Sequence, residues 1–153
     1  MTVFEKILEK LNTLGYSYEV LEHEPVHTSA DAARVRDTAL EEGAKALVFI
    51  ADKTAILVVL PADKKVDTKV FKAEFKIKDL CMASREAVKA LTALEVGSIP
   101  PTGSILGLKT YFDHAFKSKE IAVFNAGSLT SSVKMKTVDL IGMENPTFGS
   151  FSV

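Results

Sequence analysis

Apolar residues recur at helical spacing near the start of the chain and in several later segments. Phe4, Ile7, Leu8 and Leu11 follow an i, i+3, i+4 pattern that predicts an amphipathic helix. A capping box of Thr2 and Glu5 precedes this run and Gly15 follows it, so the first helix is expected between them. The same spacing predicts helices over residues 67–75, 84–94 and 137–143. Shorter helices are predicted over residues 30–34, capped by Thr28 or Ser29, and 38–43.

Two β-branched, apolar runs predict a hairpin at the centre of the fold. They cover residues 44–51 and 55–60, and the polar residues Asp52, Lys53 and Thr54 separate them. Further strands are predicted over residues 16–22, 80–83, 108–112, 121–125 and 132–136, whereas residues 144–153 are expected to be loose. Because no internal repeat or low-complexity linker is present, residues 1–153 are predicted to form one mixed α+β domain.

Composition narrows the class of protein. With 47% hydrophobic and 25% charged residues, the chain has the composition of a globular protein rather than of a disordered one. No apolar run approaches the ~20 residues that span a bilayer, so no membrane insertion is expected. The single cysteine, Cys81, favours a reducing compartment, and the cytoplasm is the expected location. A net charge of −1 argues against DNA as the main partner, although a local basic surface could still receive an RNA.

A stiff loop rich in glycine and proline follows the predicted helix over residues 84–94. Residues 95–103 hold Gly97, Ser98 and Ile99 before two prolines, Pro100 and Pro101. Glycine allows a close backbone approach and proline restricts the chain, so the amides of residues 97, 98 and 99 are predicted to point outward, where they suit a carbonyl or an oxyanion. A rigid connector between a helix and a strand explains the same residues equally well.

The familiar catalytic motifs are absent or fail on geometry. Residues 23–27 match H-E-x-x-H, but Pro25 prevents the helix that this zinc pattern requires, so no metal is predicted. His114 has no triad partners at recognisable spacing, and Cys81 lies in an apolar run where a thiol behaves as a small hydrophobe. No phosphate-binding glycine loop occurs, and no cofactor is expected. An enzyme built on this chain would need undemanding chemistry.

Lysines supply two further candidate sites. Lys45 begins an apolar strand, where it either snorkels to solvent or presents its charge to a phosphate or carboxylate ligand. A lysine-rich stretch follows the hairpin, and a helix through it would align four lysines as a track for a phosphate backbone. These four lysines, at which nucleic-acid contact is predicted, are Lys65, Lys69, Lys72 and Lys76.

The order and spacing of five segments resemble the YbaK/ProX family of aminoacyl-tRNA editing domains. The segments are residues 22–28, 43–48, 58–63, 97–101 and 124–127, and the resemblance extends over about residues 16–140. It implies a mixed, barrel-like β-sheet with peripheral helices. It also implies hydrolysis of the ester that joins a wrong amino acid to tRNA, in a domain that acts alone or beside an aminoacyl-tRNA synthetase. Small amino acids on proline or alanine tRNAs are the first expected substrates.

The same resemblance assigns roles to individual residues. Lys45 corresponds to the family's strand lysine, which positions the substrate or the tRNA end. The family's G-x-x-x-P loop corresponds to residues 97–101, and its backbone would hold the aminoacyl carbonyl, so the implied catalytic set is Lys45, Gly97, Ser98, Ile99 and Pro101. The implied substrate-binding set is Thr28, Asn125, Ala126, Gly127 and Ser128. The chain departs from the family after Gly127, where residues 128–132 replace a histidine found in several members.

Three hypotheses follow. The first is a trans-acting deacylase of mischarged tRNA, because the lysine, the loop and the asparagine turn occur together in family order. The second is a tRNA or nucleic-acid binding module that kept the fold and lost the chemistry, as the altered residues after Gly127 suggest. The third is a protein that acts on free amino-acid derivatives, which the near-zero net charge permits.

Overall fold

The structure, a computed structural model, describes residues 1–25, 30, 34 and 40–153. Five α-helices lie in these ranges: α1 Val3–Leu14, α2 Thr68–Phe75, α3 Arg85–Thr92, α4 Gly103–Leu106 and α5 Thr137–Glu144. Two 3-10 helices cover Leu40–Glu42 and His114–Ser118. The eight strands are β1 Tyr18–Glu22, β2 Ala44–Ala51, β3 Thr54–Pro61, β4 Leu80–Met82, β5 Lys109–Asp113, β6 Ile121–Asn125, β7 Ser131–Lys136 and β8 Thr147–Gly149. None of the helices in these ranges has the length and apolar character needed to cross a membrane.

The strands form two open sheets. The larger sheet has the order β4-β2-β3-β5-β8, with antiparallel pairing from β4 to β3 and parallel pairing from β3 to β8. The smaller sheet has the antiparallel order β1-β7-β6, and an isolated parallel bridge between Gly43 and Val123 links it to the larger one. The prediction of a mixed α+β fold is confirmed, with the qualification that the sheets do not close into a barrel.

Local sequence signals explain the helix termini and the central hairpin. Thr2 and Glu5 form the predicted capping box, and Gly15 ends α1 with a φ of 74°. The hairpin of β2 and β3 turns at Asp52 and Lys53, whose φ values of 46° and 73° match a two-residue turn with positive φ at both positions. The amides of Lys78 and Asp79 donate to the Asp52 carboxylate, which lowers its pKa.

Each face of the larger sheet covers a separate hydrophobic core. Side chains alternate along a strand, so Ala44, Ala46 and Val48 of β2 face one core while Leu47 and Phe49 face the other. The first core also contains residues from α1, α3, β6 and β7, among them Ile7, Leu11, Val88, Phe124 and Val133. The second is a cluster of aromatic rings that includes Phe71, Tyr111 and Phe151.

The prediction that one helix aligns four lysines is wrong. Helix α2 contains only Lys69 and Lys72, because Asp67 caps its start and Lys76 ends it with a φ of 55°. Lys65 lies before the helix, where its backbone N–H and C=O both bond to Val153 at 2.8 Å. All but Lys72, which is half-buried, are exposed.

The prediction of a loose C-terminal segment is also wrong. Strand β8 adds to the larger sheet beside β5, and Val66 forms an antiparallel bridge with Ser152. The backbone N–H groups of Phe151 and Ser152 both donate to the buried Asp113 carboxylate, at 3.0 and 2.8 Å respectively. Residues 144–153 are too few and too mixed in pattern to show a hydrophobic period. Their ordered conformation comes from the contacts with β5 instead.

Other predictions are tested only in part. Leu40–Glu42 is a 3-10 helix within the predicted helix over residues 38–43. The predicted caps Thr28 and Ser29 lie outside the described residues. Cys81, expected to behave as an apolar residue, is exposed on the edge strand β4.

Truncation of the C-terminal aromatic ring tests whether this segment is docked. Phe151 is 1% exposed and packs edge to face against Phe71, with 4.9 Å between ring centroids. We expect Phe151→Ala to lower the free energy of unfolding by about 3 to 5 kcal/mol, measured by chemical denaturation. Val153→Ala is the matched control because its side chain is 69% exposed, and it should change stability by less than about 0.5 kcal/mol. Similar small effects of both substitutions would contradict a docked segment.

Candidate functional site

The glycine-proline loop over residues 97–101 is an ordered turn that is anchored by packing against the first core. Gly97 has a φ of 95°, a conformation that residues with a Cβ rarely adopt. Ile99 is 6% exposed and packs into the first core, and both prolines that follow are buried. The loop is therefore held in one conformation by packing, as a site for transition-state binding would need.

Not all of the loop amides are open. The Ser98 N–H donates to the Glu95 carbonyl at 3.1 Å, and the Ser98 hydroxyl donates to the same oxygen at 2.7 Å. The prediction that three amides point outward is therefore wrong for Ser98, because the turn itself uses that donor. The amides of Gly97 and Ile99 have no hydrogen-bond acceptor within the described part of the chain. The N–H groups of Gly97 and Ile99 thus lie on either side of the Ser98 N–H group, which is used within the turn.

An ion pair fixes the residue from which the loop begins. Lys89 of α3 donates to the Glu95 carboxylate at 2.7 Å. This hydrogen bond lowers the pKa of Glu95 and raises that of Lys89. Because the Glu95 carbonyl accepts both bonds from Ser98, the pair helps to orient the turn against the end of α3.

The end of β6 holds the loop from the other side. The Asn125 side-chain Nδ2 donates to the Gly97 carbonyl at 2.5 Å, and the Gly127 amide donates to the Ser98 carbonyl at 3.0 Å. Ala126 is fully buried, and a Cβ on Gly127 would lie 3.0 Å from a methyl group of Val3. The structure therefore brings the loop and the asparagine turn into direct contact, and their roles in binding stay predictions.

Lys45 lies on the same face of the strands as Asn125. The parallel bridge between Gly43 and Val123 sets β2 beside β6, and Lys45 and Asn125 each follow that bridge by two residues. Ala46 of β2 and Phe124 of β6 point into the first core, so side-chain alternation places Lys45 and Asn125 on the opposite face. No hydrogen bond joins Lys45 to the loop in the described residues.

The environment of Lys45 is less polar than solvent and carries a second cation. Its ammonium group donates to the Lys64 carbonyl at 2.6 Å. Burial lowers the pKa of Lys45, Lys65 lowers it further, and Asp63 opposes the shift. Within the described residues no carboxylate pairs directly with this ammonium group, which suits an anionic ligand such as a phosphate.

A cavity of about 460 Å³ opens beside Lys45. Its lining combines two lysines with mostly apolar side chains, as in many small-ligand sites. The lining residues are Lys45, Leu47, Phe49, Lys65, Val66, Thr68, Leu80, Cys81 and Met82. None of the residues of the loop 97–101 lines this cavity.

His23 contacts the site although the sequence did not indicate it. Its Nε2 lies 2.8 Å from the Ser132 Oγ, and Ser132 in turn donates to the Asn125 Oδ1 at 3.1 Å. The H-E-x-x-H pattern drew attention to His23 only as a metal ligand, and the pairing of β1 with β7 was needed to place it beside Ser132. Within the described residues no group of three or more potential metal ligands occurs, and His27 lies outside them.

The remaining predicted site residues differ in position. The Ser128 hydroxyl accepts from the Thr130 amide at 3.1 Å and so stabilises the turn between β6 and β7. Thr28 lies outside the described residues. His114 is exposed and stacks on Phe148.

Comparisons with known proteins agree with this fold. The profile of the aminoacyl-tRNA editing domain matches residues 23–143. The chain is 30% identical over 152 residues to the multifunctional Ser/Thr-tRNA deacylase ProXp-y of Escherichia coli strain K12, an alignment that covers 96% of this chain and 91% of that protein. It is 26% identical over 106 residues to the prolyl-tRNA editing protein ProX of Acetoanaerobium sticklandii, covering 67% and 64% of the two chains.

Solved structures share the fold. A crystal structure of a candidate trans-editing enzyme for prolyl tRNA synthetase superposes with a TM-score of 0.86 and 20% identity, covering 100% of this chain and 98% of that chain. A hypothetical protein superposes with a TM-score of 0.87 and 22% identity, covering 97% and 99%. The match to the family profile and the relative at 30% identity show that the chain belongs to the aminoacyl-tRNA editing domain family.

Replacement of Asn125 by aspartate tests the contact between β6 and the loop. The aspartate would place an oxygen where Nδ2 donates, facing the Gly97 carbonyl, so we expect the free energy of unfolding to fall by about 1 to 3 kcal/mol. Asn12→Asp is the matched control, because Asn12 only accepts a hydrogen bond from Tyr18 and an aspartate keeps that oxygen. It should change stability by less than about 0.5 kcal/mol in the same denaturation experiment. Equal effects would show that the Asn125 amide does not hold the loop.

Proposed function

We propose that this protein is a trans-acting aminoacyl-tRNA deacylase, which hydrolyses the ester between a wrong amino acid and its tRNA. The observation that carries the proposal is the rigid loop with two unused amides, held by Asn125 on the face that also presents Lys45. Family membership supports the same reaction, since the relatives named above are tRNA deacylases or editing proteins.

The loop amides act on the ester carbonyl. The carbonyl oxygen of the aminoacyl group accepts from the N–H groups of Gly97 and Ile99, which stabilise the oxyanion that forms when water adds to the carbonyl carbon. One such donor is worth about 3 kcal/mol of transition-state stabilisation. The tetrahedral intermediate then collapses, the ribose oxygen leaves with a proton, and the free amino acid and the tRNA are released.

This mechanism needs no nucleophilic side chain. An aminoacyl ester is already activated, and the neighbouring ribose hydroxyl can assist the attack of water. The Ser98 hydroxyl donates to Glu95 within the turn, so Ser98 contributes to loop structure rather than to the attack. Pro101 and Pro100 contribute by restricting the backbone on which Ile99 presents its amide.

Lysines bind the nucleic acid in this proposal. Lys45 contacts the phosphate or ribose of the tRNA end, while Lys65, Lys69, Lys72 and Lys76 form a basic surface around α2 for the backbone of the acceptor arm. These four lysines are spread over the helix and its flanks, so the surface is broader than a single helical track. The substrate is mischarged tRNA, which places the activity in the cytoplasm, where an aminoacyl-tRNA synthetase is a further partner.

Substrate selection depends on the turn after β6. A synthetase distinguishes amino acids that differ by one methylene only about 10- to 200-fold, so a second site that admits the smaller product is useful. The segment Asn125, Ala126, Gly127 and Ser128 borders the loop, and the hydroxyl-rich residues that follow make small polar amino acids suitable occupants. Serine and threonine esters are therefore tested first, with alanine esters beside them.

Deacylation of a panel of mischarged tRNAs tests the proposal. The protein is incubated with tRNAs charged with serine, threonine or alanine, and the remaining aminoacyl-tRNA is measured over time. We expect at least one noncognate pair to lose its amino acid about tenfold or more faster than in buffer. Binding of uncharged tRNA without deacylation of any pair would instead favour the non-catalytic binding module, and tRNA-independent cleavage of simple aminoacyl esters would favour the third hypothesis.

Two matched glycine substitutions separate loop chemistry from stability. Gly97 and Gly107 have φ values of 95° and 73°, and a Cβ would clash with nothing at either position. Alanine should therefore cost each variant about 1 to 2 kcal/mol of stability through backbone strain. We expect only Gly97→Ala to lower kcat for deacylation, by about 100-fold, because it displaces the carbonyl-binding amides. Equal kcat values for the two variants would contradict a catalytic role for the loop.

A further inference from the structure

We propose that the cavity beside Lys45 binds the base of the terminal adenosine of tRNA, the nucleotide whose ribose carries the amino acid. The inference rests on the deacylase function proposed above and adds a second binding site for the same substrate. The cavity has a volume of about 460 Å³, and none of residues 97–101 lines it. A part of the substrate other than the ester carbonyl therefore occupies it.

The cavity opens beside the part of β2 at which the outer edge of this strand changes its partner. β3 pairs with β2 along its whole length, so β4 and β6 both lie at the other edge. Contact with β6 is a single bridge at Gly43, and pairing with β4 covers residues 49–51. Among the described strands none pairs with this edge in between, where Lys45 and Leu47 line the cavity. Places where neighbouring strands part are common ligand sites in sheets.

Lys45 lies between the cavity and the loop that holds the ester in the proposed reaction. The bridge to Val123 sets β2 beside β6, and Asn125 at the end of β6 donates to the Gly97 carbonyl. Paired strands are only about 5 Å apart, so a nucleotide whose ester lies at the loop can reach Lys45 with its ribose and phosphate. Its base then extends past Lys45 into the cavity.

The walls of the cavity suit a flat aromatic ring. Leu47 and Phe49 of β2 form one side, and Leu80 and Met82 of β4 continue the same face, because Met82 lies opposite Phe49 in the strand register. Phe49 is 3% exposed, whereas Met82 is 58% exposed, so the wall ends in an apolar side chain that solvent now covers. A methionine thioether makes favourable contacts with aromatic rings. Unpaired bases at the ends of RNA are commonly bound by stacking on such side chains.

The charges of the cavity favour a phosphate and exclude the aminoacyl group. Lys45 and Lys65 both line it, and Lys65 is fixed by backbone hydrogen bonds in both directions with Val153 at 2.8 Å. Burial lowers the pKa of Lys45 and the charge of Lys65 lowers it further, so an anion between the two ammonium groups relieves their repulsion. The amino group of an aminoacyl ester is a cation when protonated, and the same two lysines repel it.

A base site of this kind acts on every substrate alike. All tRNAs end in the same adenosine, so the cavity contributes affinity without distinguishing one tRNA or one amino acid from another. Selection among amino acids then depends on the turn after β6, and the cavity supplies binding energy from a part of the substrate that does not react.

Removal of the terminal adenosine from uncharged tRNA tests the inference. Dissociation constants are measured at one salt concentration for intact tRNA and for the same tRNA shortened by this nucleotide. Because stacking of one base strengthens binding about tenfold or more, we expect the wild-type protein to bind intact tRNA at least about tenfold more tightly than shortened tRNA. Equal dissociation constants for the two tRNAs would show that the terminal adenosine has no site on this protein.

Two charge-matched substitutions locate the effect. Met82→Glu places a carboxylate on the cavity wall, and Val70→Glu adds the same charge to α2, where Val70 is 41% exposed and does not line the cavity. We expect Met82→Glu to reduce the preference for intact tRNA to less than about twofold. Val70→Glu should weaken binding of both tRNAs and keep the preference within about twofold of the wild type. A full preference in Met82→Glu would place the adenosine elsewhere.

Nuclear magnetic resonance of the wild-type protein gives a test that requires no variant. In ¹H–¹³C spectra, adenosine 5′-monophosphate should shift the methyl signals of Leu47, Leu80 and Met82, whereas ribose 5-phosphate should leave those of Leu80 and Met82 unchanged. Equal shifts with the two compounds would show that the base does not enter the cavity. Shifts with the mononucleotide, combined with no preference for intact tRNA, would make this a site for a free nucleotide and overturn the assignment to tRNA.

Both measurements use uncharged ligands, so they are independent of hydrolysis. If the preference for intact tRNA depends on Met82 as expected while no mischarged tRNA is deacylated, the deacylase function is wrong and the adenosine site stands. If mischarged tRNA is deacylated while intact and shortened tRNAs bind equally, the adenosine site is wrong and the deacylase function stands.

Discussion

The hydrogen bond from the Asn125 side chain to the Gly97 carbonyl connects the parts of the molecule on which the site depends. On one side it holds the turn over residues 97–101, in which only the Ser98 N–H group donates a hydrogen bond to another described residue. On the other side it continues through Ser132 to the end of β1. Because Asn125 is the last residue of β6, the smaller sheet and the loop after α3 share this contact. The position of the loop therefore depends on the strand pairing of the whole smaller sheet.

The second constraint is the bridge between Gly43 and Val123. It sets the two sheets side by side, and side-chain alternation then places Lys45 and Asn125 on one face although 80 residues separate them along the chain. Their apolar neighbours along the two strands, Ala46 and Phe124, point the other way and belong to the first core. Along β2, Lys45 shares its face with Leu47 and Phe49 of the second core, so the face that carries the candidate chemistry also contributes to stability.

Much of this fold could be predicted from local patterns. The capping box of α1 and the central hairpin both appear in the structure as predicted because each rests on short-range geometry. The docked C-terminal segment could not be predicted, since its order comes from Asp113 and from β5, which are distant in sequence. The four lysines do not share one helix because Lys65 pairs through its backbone with Val153 instead of joining α2.

The residues of the candidate site could be predicted from the sequence better than the contacts between them could. The resemblance to the editing family named Lys45, the loop and the asparagine turn, and family membership is confirmed. The use of the Ser98 amide within the turn and the contact of His23 with Ser132 depend on tertiary geometry that no spacing shows. Binding of a stable substrate analogue tests the central claim most directly. On addition of an adenosine whose 3′ amino group carries serine through an amide bond, the backbone amide signals of Gly97 and Ile99 should shift most in ¹H–¹⁵N spectra, with smaller shifts at the Asn125 side chain. Shifts confined to other regions, with both loop amides unchanged at saturation, would contradict the claim that this loop holds the aminoacyl carbonyl.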